Sequence, residues 1–282
     1  MDKGTILDKI FADKKEEVEI QKSLRSVKDL EKQIAQSSET LNFSGSIWDD
    51  RVCLIAEIKQ ASPSAGILTD TFNAESLAKT YAENGASAIS VLTESKYFYG
   101  DINDLIVAKE IALQFGIPIL RKDFVYDEYQ LYETKAYRGD AVLLIASMLE
   151  ENTLKHLIKE AQNIWLQCVV EVHDSLELAL ALDCGAEIIG INHRNLKTFE
   201  VDLAISEQLV PLIPKGKLIV AESGIKDRNT VTHLAALGVN AVLVGEAIIT
   251  AVDRVSKIKD LVNVRLHKRV TPNCVDTRTS LY

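Results

Sequence analysis

The sequence predicts an α/β protein, a closed (β/α)8 barrel (TIM barrel) with an N-terminal helical extension, on three observations. Short β-branched runs recur along the 282-residue chain, and each is followed by a stretch of helical periodicity. Several of these helical stretches end in glycine immediately before the next run. The runs are also apolar through their bodies, as strands of a parallel sheet covered by helices must be.

The runs are CLIAEIK (53–59), ASAISVLTE (86–94), PILRKDF (118–124), DAVLLIAS (140–147), WLQCVVEV (165–172), EIIGINHR (187–194), KLIVAESG (217–224) and NAVLVGEAI (240–248). Between them lie amphipathic segments such as AESLAKTYAENG and NTVTHLAALG. Asn84-Gly85, Phe115-Gly116, Cys184-Gly185 and Leu237-Gly238 read as helix C-caps feeding the following strand. Eight units in one uninterrupted series point to closure into a barrel. A doubly wound sheet would more often have fewer strands and a Gly-rich dinucleotide turn after the first, and no GxGxxG or Walker A string occurs.

Ahead of the first strand, residues 6–23 place apolar side chains at Ile6, Leu7, Ile10, Phe11, Val18 and Ile20, and 27–35 repeat the pattern more briefly. Neither could bury a core alone, so they read as a helical cap on the barrel. The expected organisation is one domain, with the extension at 1–50, the barrel at 51–262 and a C-terminal tail at 263–282. Beyond Val270 the tail has no periodicity and reads as flexible.

Composition narrows the function. A formal net charge of −9, from 32 basic and 41 acidic residues, disfavours nucleic acid or an anionic membrane as partner. A small anionic substrate held by a few lysines and backbone amides remains compatible with it. Cys53, Cys168, Cys184 and Cys274 form no CxxC pair, and the five histidines show no HExxH-like spacing. Structural zinc, a disulfide framework and a metal site are therefore not expected. The N-terminus is charged without an apolar core, the longest apolar stretch (141–149) is too short for a bilayer, and the sequon at 42–44 reads as chance. A reducing cytoplasm is the expected location.

Barrel enzymes work at the C-terminal ends of their strands. Here those ends carry Glu57 and Lys59, then Glu94, Lys122, Glu171, Asn192 with Arg194, and Glu222 with Ser223. Strand side chains alternate, so Glu57 and Lys59 share a face. One buried charge asks only for a partner, whereas a ring drawn from several strands indicates a site; interior ion pairing is the structural alternative. The ends of the last two strands, Glu222-Ser223-Gly224-Ile225 and Leu243-Val244-Gly245-Glu246, fit the common barrel phosphate site, with glycine amides able to approach phosphate oxygens. Lys59 and Ser62 lie across the mouth. Lys122 is the candidate acid or electrophile, with a Lys122–Asp123 pair closing the strand end as the alternative. Glu171 is a candidate base once desolvated. His173 shares its parity but reads as a loop histidine with satisfied hydrogen bonds, and His193, of opposite parity to Asn192 and Arg194, faces the helices.

The strings IAEIKQASPSAG, VLTESKYFYGD, LRKDFVYDEYQ, IGINHRNLKTFEVDL, AESGI and LVGEAI, in this order, resemble the indole-3-glycerol-phosphate synthase family of tryptophan biosynthesis. The resemblance runs from the segment at 6–10 to the neighbourhood of Ile249. It implies closure of 1-(2-carboxyphenylamino)-1-deoxyribulose 5-phosphate to indole-3-glycerol phosphate with loss of carbon dioxide and water, without metal or cofactor. Carried over by motif, Lys122 is the general acid at the substrate ketone. Lys59 holds the carboxylate and serves the later dehydration, and Glu171 is the base. Glu57 orients lysines and hydroxyls, with Asn192 and Glu222 in the same pocket. Phe98 and Phe124 would pack against the aryl group, with ordinary core residues as the alternative; phosphate would rest on Ser62, Gly224 and the amides at Gly245 and Glu246, and Arg194 and Ser223 would also bind substrate. Contact with other tryptophan-pathway enzymes is a further expectation of the resemblance.

Three departures stand out. Ala65 occupies a position where the family commonly has lysine, His193 and Asn195 replace the usual pair in NNRDL, and Ala221 replaces serine before Glu222. Two enzyme classes compete with the resemblance, a phosphosugar isomerase or epimerase and a Schiff-base aldolase using Lys122. The non-enzymatic alternative is an anion-binding barrel without turnover.

Overall fold

Each apolar run folds as one strand of a closed parallel barrel. In the computed structural model, which describes residues 6–37, 40–195 and 198–267, the strands are β1 (Cys53–Ile58), β2 (Ala88–Leu92), β3 (Ile119–Lys122), β4 (Ala141–Ile145), β5 (Gln167–Val172), β6 (Ile188–Asn192), β7 (Leu218–Glu222) and β8 (Ala241–Val244). Neighbours pair in chain order, and β8 closes on β1 with Cys53 opposite Ala241. Alternation sets the two faces. On β1, Leu54, Ala56 and Ile58 pack outward against the helices, while Cys53 and Ile55 fill the barrel interior. Both faces are buried, which is why the strand bodies are apolar throughout rather than alternating.

The extension forms α1 (Ile6–Leu24), α2 (Val27–Ile34) and α3 (Phe43–Ser46). The outer layer is α4 (Ala74–Glu83), α5 (Asn103–Ala112), α6 (Glu128–Ala136), α7 (Glu151–Asn163), α8 (Ser175–Asp183), α9 (Ala204–Leu209), α10 (Arg228–Leu237), α11 (Glu246–Ile249) and α12 (Arg254–Leu261). Asn73, Asp127, Asp174, Asp227 and Asp253 start their helices by accepting a backbone N–H, which satisfies an otherwise orphaned donor. At the other end, Gly116 and Gly238 take φ of 68° and 92°, the left-handed turn that brings the chain back to the barrel.

The extension does more than cap one end. Lys14 of α1 lies 3.0 Å from Asp123, just past the C-terminal end of β3. Next to it, Asp13 pairs with Lys96 at 2.7 Å. From that mouth the chain descends along α6, against which α2 packs. It then meets Asp140 at the start of β4, which accepts Leu41 N–H at 2.7 Å, Ile119 N–H at 2.7 Å and the buried Lys109 ammonium at 2.6 Å. Finally α3, a third helix beyond the two expected, carries Phe43 and Ile47 into the interior cluster with no exposed surface. Burying each side chain contributes about 1.5–3 kcal/mol.

At the C-terminal end of the described chain, Val52 N–H donates to Val264 O at 2.8 Å and Leu266 N–H to Asp50 O at 2.9 Å, which ties residues 264–266 to the base of β1. Residues 268–282, which hold Cys274 and the stretch read as flexible, lie outside the described residues. Among the described residues no helix is long and apolar enough to cross a membrane.

Candidate active site

The inward parity of each strand continues past its apolar body, so the last inward residue of several strands is charged and meets its counterparts over the barrel axis. Glu57 ends the inward face of β1, and the Lys59 ammonium lies 2.6 Å from its Oε2. Lys122, last in β3, sets Nζ 3.3 Å from Glu171 Oε2 on β5 and 3.2 Å from Glu222 Oε2 on β7. Asn192, last in β6, donates from Nδ2 to Glu171 Oε1 at 3.1 Å. All six line one pocket at the C-terminal mouth.

Two glycines make room for the carboxylates. Gly190 lies beside Glu171 in the β5–β6 ladder, and a Cβ there would stand 2.5 Å from Glu222 Oε1. A Cβ on Gly245 would run into the Glu57 carboxylate. Any side chain at either position would displace a charged group, so backbone alone forms the wall there.

Burial and charge pull the titrations of these groups apart. Burial opposes the Lys122 ammonium, but the carboxylates of Glu222, Glu171 and Glu57 outweigh it and hold the lysine above its ordinary range. Glu171 is also penalised by burial, yet Lys122, His173 and the Asn192 amide bring it below the usual value. Burial dominates at Glu222, and with Glu171 nearby its carboxyl is pushed up to about 7. Two carboxylates beside one lysine therefore differ in charge state near neutrality, a common way for a site to hold both an acid and a base.

The walls are apolar on one side and polar on the other. Phe98 and Phe124 face each other with ring centroids 6.1 Å apart, backed by Leu143 and Ile145. Opposite them come Ser223, Gly224, Gly245 and Glu246, with Ser62 following β1, the strand that pairs with β8, rather than across the mouth from them. Ser223 and Gly224 both adopt left-handed backbone, at φ 66° and 76°. Arg194 donates to Phe199 O at 3.1 Å and lies 3.7 Å from Glu246 Oε2. Around Ser62, where the sequence reads as plain loop, Ala61–Ser62 and Gly66–Ile67 pair as a short antiparallel hairpin. The Ser62 hydroxyl accepts Ala65 N–H at 3.3 Å.

The structure also redirects several residues singled out by sequence. Glu94 does not join the ring; its carboxylate accepts the backbone N–H groups of Lys96, Tyr97 and Phe98 at 3.1, 2.7 and 3.0 Å and so shapes the loop that presents Phe98. Asp123 does not close on Lys122 but points outward to Lys14 and Arg121. His193 faces the helices, bonded to Ser223 O and to Ser206 Oγ of α9 at 2.9 and 2.7 Å, and burial lowers its pKa. His173 is only half satisfied: Nδ1 is 3.0 Å from Glu177 Oε2, while Nε2 makes no hydrogen bond and lies 3.4 Å from Glu171 Oε1. Pro63 and Phe199 also line the pocket; each lies inside a string that carries the resemblance, but neither bears a charge or polar group to mark it.

Proton-transfer side chains gathered over the axis of eight parallel strands, beside an aromatic slot, define an enzyme of the (β/α)8 class. Solved structures share the fold: a 3-hexulose-6-phosphate synthase from Salmonella typhimurium superposes with a TM-score of 0.60 at 15% identity, covering 74% of this chain and 96% of that one. A thiamine phosphate pyrophosphorylase from Pyrococcus furiosus does so at 0.58 and 17%, covering 78% and 96%. In sequence, the family profile of indole-3-glycerol phosphate synthase matches residues 7–261. The indole-3-glycerol phosphate synthase of Thermoanaerobacter sp. (strain X514) is 43% identical over 257 residues, spanning 91% of this chain and 97% of its own. The protein of that name from Dehalococcoides mccartyi (strain CBDB1) is 47% identical over 211 residues, 75% of this chain and 82% of its own. The chain belongs to the indole-3-glycerol phosphate synthase family, carboxy-lyases of tryptophan biosynthesis that act on a small phosphorylated substrate.

Proposed function

We propose that the pocket closes 1-(2-carboxyphenylamino)-1-deoxyribulose 5-phosphate to indole-3-glycerol phosphate, releasing one carbon dioxide and one water, with its own side chains as acids and bases. The observation that carries this is the position of Lys122 between Glu171 and Glu222, across the pocket from Glu57 and Lys59. A ketone is a weak electrophile until its oxygen is protonated or polarised. Lys122, held as an ammonium by its carboxylates, meets the ketone oxygen and transfers its proton as charge builds there.

The aryl carbon bearing the carboxylate then forms the new bond to the ketone carbon and temporarily loses aromaticity. Glu57 and Glu171 stabilise the positive charge that develops on the ring nitrogen. Loss of carbon dioxide returns its bonding pair to the ring. Glu171 removes a proton during the final loss of water, and Lys59, which earlier held the carboxylate, donates the proton that carries the hydroxyl away. Glu57 orients Lys59 through their 2.6 Å contact, and Asn192 orients Glu171. The Phe98–Phe124 pair, whose rings touch each other, offers an apolar wall for the aryl group to pack against. Ser62, Arg194, Ser223, Gly224 and the amides at Gly245 and Glu246 receive the phosphorylated end, where Ala65 supplies no charge.

We place the enzyme in a reducing cytoplasm, a proposal supported by Cys53, Cys168 and Cys184 remaining free thiols. Contact with other enzymes of tryptophan biosynthesis belongs to the same proposal. Indole fluorescence following addition of the carboxyphenylamino-deoxyribulose phosphate tests the activity directly. A rising signal is expected from the wild-type protein. Silence would sink the assignment, and a borohydride-trapped covalent adduct would favour aldolase chemistry instead.

A further inference from the structure

β5 ends at Val172, and the chain turns into α8 at Ser175. This turn holds the His173 imidazole between two carboxylates. Glu177 Oε2 receives the His173 backbone N–H at 2.8 Å and lies 3.0 Å from Nδ1, while Nε2 stands 3.4 Å from Glu171 Oε1. An ionised carboxylate only accepts, so Nδ1 carries a hydrogen. Nε2 stands outside hydrogen-bond geometry, so its approach to Glu171 is one of charge: a neutral ring gives the carboxylate nothing, whereas an imidazolium attracts it. The other charged groups around the ring are Glu222 across the mouth and, beyond Glu171, Lys122.

From this geometry we infer that His173, anchored by Glu177, is a positioning residue for Glu171: as an imidazolium it steadies Oε1 together with Asn192 and keeps the carboxylate ionised, while Lys122 holds Oε2. Burial disfavours the charged ring, but Glu177, Glu171 and Glu222 overcome it and raise the histidine above its ordinary value. The inference rests on Glu171 being the base. It gives that base two cations on different sides, one on the pocket floor and one at the strand exit. The ring is itself partly exposed, with 15% of its side chain reaching solvent.

The test compares pH profiles of kcat/KM for the wild type, His173→Gln and Glu177→Gln. Glutamine at 173 keeps an amide donor and removes the charge. The acidic limb of His173→Gln is expected to move up by about one pH unit, since a lost cation raises a carboxylate pKa. Its kcat should fall by about 10- to 100-fold through loss of alignment, with KM nearly constant. Glu177→Gln removes the anchor outside the pocket and should shift the limb in the same direction by less. An acidic limb unmoved in His173→Gln overturns the inference, as does rescue of wild-type kcat by the neutral side chain.

A second measurement requires no turnover. NMR titration of the His173 ring, assigned by its absence from His173→Gln, should show a midpoint lower by about one unit in Glu171→Gln than in the wild type. An unchanged midpoint overturns the pairing. A wild type without synthase activity would defeat the proposed function, while this titration still decides whether His173 and Glu171 are coupled.

Discussion

Strand β3 carries two charge networks, one on each face. Outward, Asp123 has every acceptor position engaged: Oδ1 by Phe124 N–H at 2.8 Å and Lys14 at 3.0 Å, Oδ2 by Thr93 Oγ1 at 2.6 Å and Arg121 at 3.0 Å. Arg121 in turn reaches Glu133 at 2.8 Å and Thr134 Oγ1 at 3.2 Å. Inward, one residue away, Lys122 is shared between two glutamates at 3.2 and 3.3 Å, and both Glu222 oxygens lie outside hydrogen-bond geometry. The outer network is saturated and fixes the extension to the barrel. The inner one keeps bonding capacity that opens onto the pocket. Neighbouring charges thus serve opposite purposes, and hydrogen-bond saturation tells them apart.

Substitutions can sharpen that contrast. The largest effect is expected from Lys122→Ala, which should cut indole formation by about a thousandfold, in the range for loss of a general acid. Activity within tenfold of wild type would place the acid elsewhere. Asp123→Ala acts on the other face and removes the fully buried carboxylate of Lys14 and Arg121, leaving each with one less buried partner, Glu17 or Glu133. Urea unfolding should register a loss of about 3–5 kcal/mol, and an unchanged midpoint would remove the distinction between the two networks.

The smallest effect concerns pH. Glu222 titrates at about 7 in the fold against a reference of 4.5, so the folded state binds this proton more tightly than the unfolded chain. Its contribution is present at low pH and is lost as pH rises through that interval. Glu222→Gln removes this contribution, while the opposite trend from the lowered Glu171 largely cancels in the comparison. Between pH 5 and 8 the wild type should lose on the order of 2–3 kcal/mol relative to the variant. Parallel stability curves from chemical denaturation would contradict a proton held on Glu222.

Most of the barrel was legible because a local rule writes it. Alternation placed Glu57, Lys122, Glu171, Asn192 and Glu222 on inward positions, and apolar runs ending in charge marked the C-terminal mouth. What escaped depends on contacts between distant segments. Glu94 has the inward parity and the charge of a site residue, and only the fold of the following loop turns its carboxylate onto three backbone amides. Asp123 looked like a partner for its neighbour Lys122 until α1 supplied Lys14. The contact of His173 with Glu171 depends on the ring being turned by Glu177, four residues on and already within α8. The α3 plug is four residues long, too short for periodicity to show.

The close fit of Gly245 against Glu57 joins the first barrel strand to the last. The seam that closes the cylinder is therefore also a wall of the pocket. A chain emerging from the ribosome meets Glu57 early and Gly245 only after seven strands, so the pocket takes shape late, in the step with the greatest sequence separation and the largest entropic demand. Docking of β8 completes both the cylinder and this wall of the pocket, so a refolding assay that follows recovery of ligand binding is expected to report it.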